Sequence, residues 1–84
     1  MSSVDEAAGE AQSVMDTCDH GTAGMTRVAS ALDTLAGTMA AAGIDSVAHA
    51  ASGLKGDAES LASQFQALKS GVEDLAAQIQ ALSS

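Results

Sequence analysis

The chain has 84 residues, enough for one small domain, and eleven acidic residues against three basic ones give it a formal net charge of −8. Phosphate backbones and anionic membrane surfaces repel such a chain, which argues against nucleic-acid binding. Its apolar share of 46% contains one aromatic residue, Phe65, and many alanines. The core is therefore thin, and a domain of this size is expected to need a partner or a second copy.

The first half of the chain predicts one long helix, from about residue 3 to residue 42. Ser3 and Glu6 form a capping-box pattern at its start. Apolar or small residues then recur at every third or fourth position. They are Val4, Ala7, Ala11, Val14, Cys18, Gly21, Met25, Val28, Leu32, Leu35, Met39 and Ala42. Gly21 and Gly24 disfavour helix, and the pattern leaves open whether the helix bends or frays there.

A tight turn is predicted at residues 43–45. Gly43 is expected to end the first helix in the left-handed conformation, with Ile44 reaching back to Met39 in a Schellman motif. Asp45 or Ser46 is then expected to be the N-cap of the next helix. Because the connection is so short, the two helices must lie side by side and antiparallel.

The second half predicts a helix from about residue 46 to residue 82, with a heptad pattern in which Ile44 is position a. The recurring apolar residues are Ile44, Val47, Ala51, Leu54, Ala58, Leu61, Phe65, Leu68, Val72, Leu75, Ile79 and Leu82. Alanines at several e positions widen the stripe beyond what one neighbouring helix needs. The expected fold is all-α, an antiparallel two-helix hairpin that dimerises into a four-helix bundle.

The predicted core and interface follow from the a and d positions of both helices, which are expected to pack together. The residues are Val14, Cys18, Met25, Val28, Leu32, Leu35, Met39, Leu54, Leu61, Phe65, Leu68, Val72, Leu75, Ile79 and Leu82, with Gly43 and Asp45 at the turn. If Leu61 or Leu68 is buried, its replacement by alanine should cost about 2–5 kcal/mol.

No residue pattern indicates chemistry. Asp16 and His20 share a helix face, but a metal site needs three or four convergent ligands, so no metal and no cofactor is expected. No general acid–base arrangement is visible, and we do not expect an enzyme. Cys18 is interpreted as a small buried apolar residue, with a disulfide between two copies of the chain as the alternative.

Length, acidity, hairpin architecture and the small-residue turn at Ala41, Ala42 and Gly43 give the chain a resemblance to the WXG100 (ESAT-6-like) family of type VII secretion substrates. Of that family's Trp-x-Gly turn only the glycine is present, and the chain has no tyrosine for the family's C-terminal Tyr-x-x-x-Asp/Glu signal. The resemblance implies a homodimer or heterodimer of helical hairpins, exported or associated with secretion.

The function expected from these features is that of a small helical-hairpin interaction protein acting through dimerisation. The alternatives are a cytoplasmic self-assembling bundle subunit and an acidic adaptor that binds a basic protein. No secretory signal pattern and no membrane span is recognisable. The chain is therefore expected to be cytoplasmic when made, with export by a leaderless route as the open alternative.

Overall fold

The structure is a computed structural model that describes residues 3–82, a stretch made of two helices packed side by side. Helix α1 spans Ser3–Ala41 and helix α2 spans Asp45–Ala81, within one residue of the bounds expected from the sequence. Helix α1 is continuous through Gly21 and Gly24. The hairpin measures 63 × 17 × 11 Å and has a Cα radius of gyration of 18.8 Å, whereas a compact chain of this length has about 12 Å.

The turn between the helices is the predicted Schellman motif. Gly43 has a φ of +77°, in the left-handed region that favours glycine. Its N–H donates to the carbonyl of Ala40 at 3.0 Å, and the N–H of Ile44 donates to the carbonyl of Met39 at 2.9 Å. These two bonds satisfy carbonyls that the end of an α-helix leaves without partners.

The predicted N-cap of α2 is wrong. The N-cap of α2 is Ile44, which has no side-chain capping hydrogen bond and offers its carbonyl to the N–H of Ala48 at 3.1 Å. Asp45 is instead the first helical residue, where its carboxylate lies near the positive end of the helix dipole. Helix α1 begins at Ser3, where the sequence predicts its start, and the residue before it lies outside the described part of the chain.

The two helices meet along their a and e positions, which we call the hairpin seam. The buried residues of the described helices all lie on it: Ala11, Cys18, Ala29, Ala48, Ala51 and Ala58. Larger side chains such as Met25 and Phe65 are half-buried there. The two helices therefore pack through their a and e positions, and not through the a and d positions expected from the sequence. Small residues at a and e let the two backbones approach closely, and the d positions then face outward.

Two ion pairs cross the seam in the described residues and define its register. Lys69 Nζ lies 2.9 Å from Asp19 Oδ1, and Lys55 Nζ lies 3.1 Å from Asp33 Oδ1. The two aspartates are two heptads apart in α1, and so are the two lysines in α2. The helices therefore keep one antiparallel register over the length between the pairs.

Candidate interaction surface

The d positions of both helices form an exposed row of apolar side chains. Its large members are between 42% and 76% exposed, and we call this surface the outer apolar face. They are Val14, Val28, Leu35, Val47, Leu54, Leu61, Leu68, Leu75 and Leu82. Single exposed leucines are common in proteins, but a continuous row along two helices is typical of a surface that binds another protein.

Both rows of d residues lie on the same side of the hairpin. At about 100° per residue, position d lies about 80° from the middle of the seam on each helix, and antiparallel packing turns both d positions the same way. A groove of about 290 Å³ is lined by Val14 of α1 together with Val72, Leu75 and Ile79 of α2, and Glu10 is also part of its lining. The outer apolar face is therefore a single two-helix surface.

The middle of this face has the geometry of a coiled-coil hole. Leu61, Gln64, Phe65 and Leu68 surround a depression of about 150 Å³ on α2. Their spacing of three, four and seven residues is that of the four side chains that receive one knob in knobs-into-holes packing. The site is thus shaped to accept a side chain from a further helix.

The opposite side of the hairpin is polar and acidic. A groove of about 350 Å³ there is lined by Lys55, Asp33 and Glu59 together with Thr26 and Ser30. A hydrogen bond to Asp33, helped by its negative charge, raises the pKa of Lys55 above the ordinary lysine value of 10.5. Two of the three basic side chains are thus held by carboxylates on this side.

Lys69 is held in the same way, two heptads further along α2. A hydrogen bond to Asp19 raises its pKa above the ordinary value, and the charges of Glu73 and Asp16 act in the same direction. Next to this pair, the Gln66 amide donates to the Thr22 hydroxyl at 3.1 Å. The polar contacts between the helices therefore lie on the side away from the outer apolar face.

The structure divides the fifteen predicted core and interface residues into two groups. Cys18 is buried in the hairpin seam, and six others are half-buried there: Met25, Leu32, Met39, Phe65, Val72 and Ile79. Eight are exposed on the outer apolar face: Val14, Val28, Leu35, Leu54, Leu61, Leu68, Leu75 and Leu82. Leu61 and Leu68 are thus not buried in the hairpin, because their d positions face away from the partner helix.

Cys18 does not present its sulfur to another chain. It is 3% exposed and free, and its position on the seam directs it toward α2. In the hairpin it is a small apolar contact residue, as interpreted from its a position. A disulfide between two copies through Cys18 would require the seam to open.

Within residues 3–82 no three His, Cys, Asp or Glu side chains converge as metal ligands would. Neither helix in that stretch is long and apolar enough to cross a membrane. Comparison with protein-family models, curated proteins and solved structures finds no significant match to the chain.

Proposed function

We propose that the chain is a non-enzymatic helical-hairpin interaction protein that acts by pairing its outer apolar face with a second hairpin in a four-helix bundle. The observation that carries this proposal is the exposure of every large d-position side chain in the described helices. A second layer of helices removes that surface from water, and burial of apolar surface is the main driving force of association.

The size of the face supports a stable pairing. Its 63 × 17 Å extent corresponds to about 1,000 Å² per hairpin, against the roughly 800 Å² that each partner contributes to a standard protein interface. The hairpin alone also has little to hold it together, since no large side chain in residues 3–82 is fully buried. Pairing would give the chain a core of leucines in place of one made of alanines and a cysteine.

The distribution of charge allows the partner to be a second copy. The rim of the outer apolar face carries two acidic residues, Glu10 and Asp57, at g positions. The acidic residues at b positions lie on the opposite side; they are Asp5, Asp19, Asp33, Asp45, Glu59 and Glu73. Two copies can therefore approach through their apolar faces while most of their negative charge remains in solvent.

Light scattering coupled to size-exclusion chromatography, followed by sedimentation equilibrium, tests the proposal directly. We expect a dimer that dissociates on dilution. Leu61→Glu places a charge in the middle of the face and should give a monomer. Ser63→Glu adds the same charge at an exposed outward position and should leave the dimer intact. A wild-type monomer at every concentration would refute dimerisation, and large polymers would favour a self-assembling subunit.

We further propose a role as a small secreted or secretion-associated protein of the WXG100 type. Support comes from the length, the acidic charge, the antiparallel hairpin and the glycine turn at Gly43. The test is detection of the protein in the culture medium of its native host, with a cytoplasmic marker as the control for lysis. A chain found in cells alone would contradict export and leave the cytoplasmic assembly role.

The acidic side supports one alternative, an adaptor that binds a basic protein through Glu59, Glu73 and their neighbours. Neutralising this side with Glu59→Gln and Glu73→Gln would then abolish partner capture and its salt dependence. The dimer proposal expects these two substitutions to leave self-association unchanged, because both residues lie away from the outer apolar face.

A further inference from the structure

The two rows of the outer apolar face differ in size. On α2 the row is Val47, Leu54, Leu61, Leu68, Leu75 and Leu82, which we call the leucine row. On α1 it is Ala7, Val14, Gly21, Val28, Leu35 and Ala42, which we call the smaller row. The face therefore has a ridge along α2 and a lower row along α1, in which the ring of Phe65 already covers Gly21.

The register of the hairpin places each member of one row opposite a member of the other, at the same height along the helix axes. The Asp19–Lys69 and Asp33–Lys55 pairs fix that register. It brings Gly21 to the height of Leu68 and Val28 to that of Leu61. At every height except that of Leu35 and Leu54, the residue of the leucine row is the larger.

Two identical faces of this shape can stack in two symmetric ways. If the turns lie at opposite ends, leucine row meets leucine row, and smaller row meets smaller row. If the turns lie at the same end, each leucine row lies over the partner's smaller row. Close packing without voids favours the second arrangement, because larger side chains then lie over the smaller Ala7, Val14 and Val28.

The rims of the face give independent support for this choice. At three of the five matching heights the g positions pair a small residue of one helix with a longer one of the other: Thr17 with Gly71, Gly24 with Gln64 and Ala31 with Asp57. The other two pairs, Glu10 with Gln78 and Thr38 with Ala50, join residues of similar size. With the turns at opposite ends, Gly24 would face its own copy at the centre of one rim, and Gln64 its own copy at the centre of the other.

We propose that the partner is a second copy of this chain, stacked with both turns at the same end so that the leucine row of each hairpin fills the smaller row of the other. This inference rests on the proposed dimerisation. The two-fold axis then runs parallel to the helices. Leu61 of one hairpin lies against Val28 of its partner, and the acidic rim residues Glu10 and Asp57 meet Gln78 and Ala31 and not each other.

Distance measurement between spin labels at the turn tests the arrangement. Ser46 is exposed beside the turn, so Ser46→Cys in a Cys18→Ala background gives one labelled site per chain. With helices about 10 Å apart in a bundle, turns at the same end place the two labels within about 30 Å. Turns at opposite ends would place them close to the 63 Å length of the hairpin.

Disulfide cross-linking gives a second readout in the same Cys18→Ala background. A refolded mixture of Val28→Cys and Leu61→Cys chains should form a mixed disulfide, whereas a mixture of Leu61→Cys and Leu68→Cys chains should not. The long label distance, or cross-linking of the second mixture alone, would overturn the same-end arrangement and leave dimerisation standing. A labelled chain that stays monomeric in light scattering would overturn the proposed function itself.

Discussion

The ring of Phe65 lies directly on the backbone of α1 at Gly21. A β-carbon added to Gly21 would come within 2.6 Å of Cε1 and 2.7 Å of Cζ of that ring. Glycine is therefore required here by the approach of a rigid side chain from α2, which explains a residue that otherwise weakens the middle of a long helix.

We expect Gly21→Ala to lower the free energy of unfolding by about 1–2 kcal/mol, since overpacking outweighs the gain in helix propensity. Urea denaturation followed by circular dichroism measures the change. Gly37→Ala is the matched control, because a β-carbon there meets nothing within 4 Å; it should stabilise by up to about 1 kcal/mol. If Phe65→Leu does not reduce the cost of Gly21→Ala, the ring is not its cause.

The alanines of the hairpin seam should not tolerate larger side chains. Ala58 is 4% exposed between the two helices, and Ala58→Leu is expected to cost about 1–3 kcal/mol because the helices must separate to admit the extra carbons. Ala77→Leu makes the same change at an exposed outward position of α2 and should be nearly neutral, since the helix propensities are similar. Equal costs at the two sites would contradict the assignment of the seam.

Much of the fold follows from local rules that the sequence makes visible. The apolar period predicts two long helices, and Gly43 predicts the turn, since few other residues take a φ of +77° without strain. The N-cap of α2 was not predictable from residue preferences, because the Schellman turn leads directly into α2 and makes Ile44 the half-helical residue.

The choice of the seam was not predicted, because apolar residues occupy a, d and e positions alike. Periodicity shows which residues are apolar and does not show which of them meet. The charged residues did indicate which positions form the seam. Lys55 and Lys69 at e, with Asp19 and Asp33 at b, can pair when a and e form the seam, as the distances of 3.1 Å and 2.9 Å show.

The two ion pairs predict a loss of stability at alkaline pH. Asp33 and Asp19 raise the pKa values of Lys55 and Lys69 by hydrogen bonding to the charged amines. A raised pKa in the folded state gives stabilisation that is fully present below pH 10.5 and disappears as the pH rises through the raised values. The melting temperature of the wild type should therefore fall toward that of a Lys55→Met, Lys69→Met variant above this pH. If the difference in melting temperature between the two proteins stays constant as the pH rises, the ion pairs do not contribute in this way.

Gly43→Ala should destabilise the hairpin by about 1–2 kcal/mol, the cost of holding a residue with a β-carbon in the left-handed region. A β-carbon at Gly43 would meet nothing within 4 Å, so the effect isolates the backbone conformation from packing. Gly53→Ala is the control within α2, also in open space, and should raise the melting temperature. A neutral Gly43→Ala would contradict the left-handed turn.

Leu61→Ala and Leu68→Ala should act on association and little on the isolated hairpin. Their side chains are 45% and 55% exposed, so the cost of about 2–5 kcal/mol that applies to buried leucines is expected only after a second hairpin covers them. Because the stability of a dimer depends on protein concentration, urea denaturation of each variant at low and at much higher concentration separates the two states. At low concentration the free energy of unfolding of the variants should be close to that of the wild type. At high concentration it should be well below the wild-type value. A cost that is the same at both concentrations would mean that the outer apolar face does not bind a second copy, whichever way the turns point.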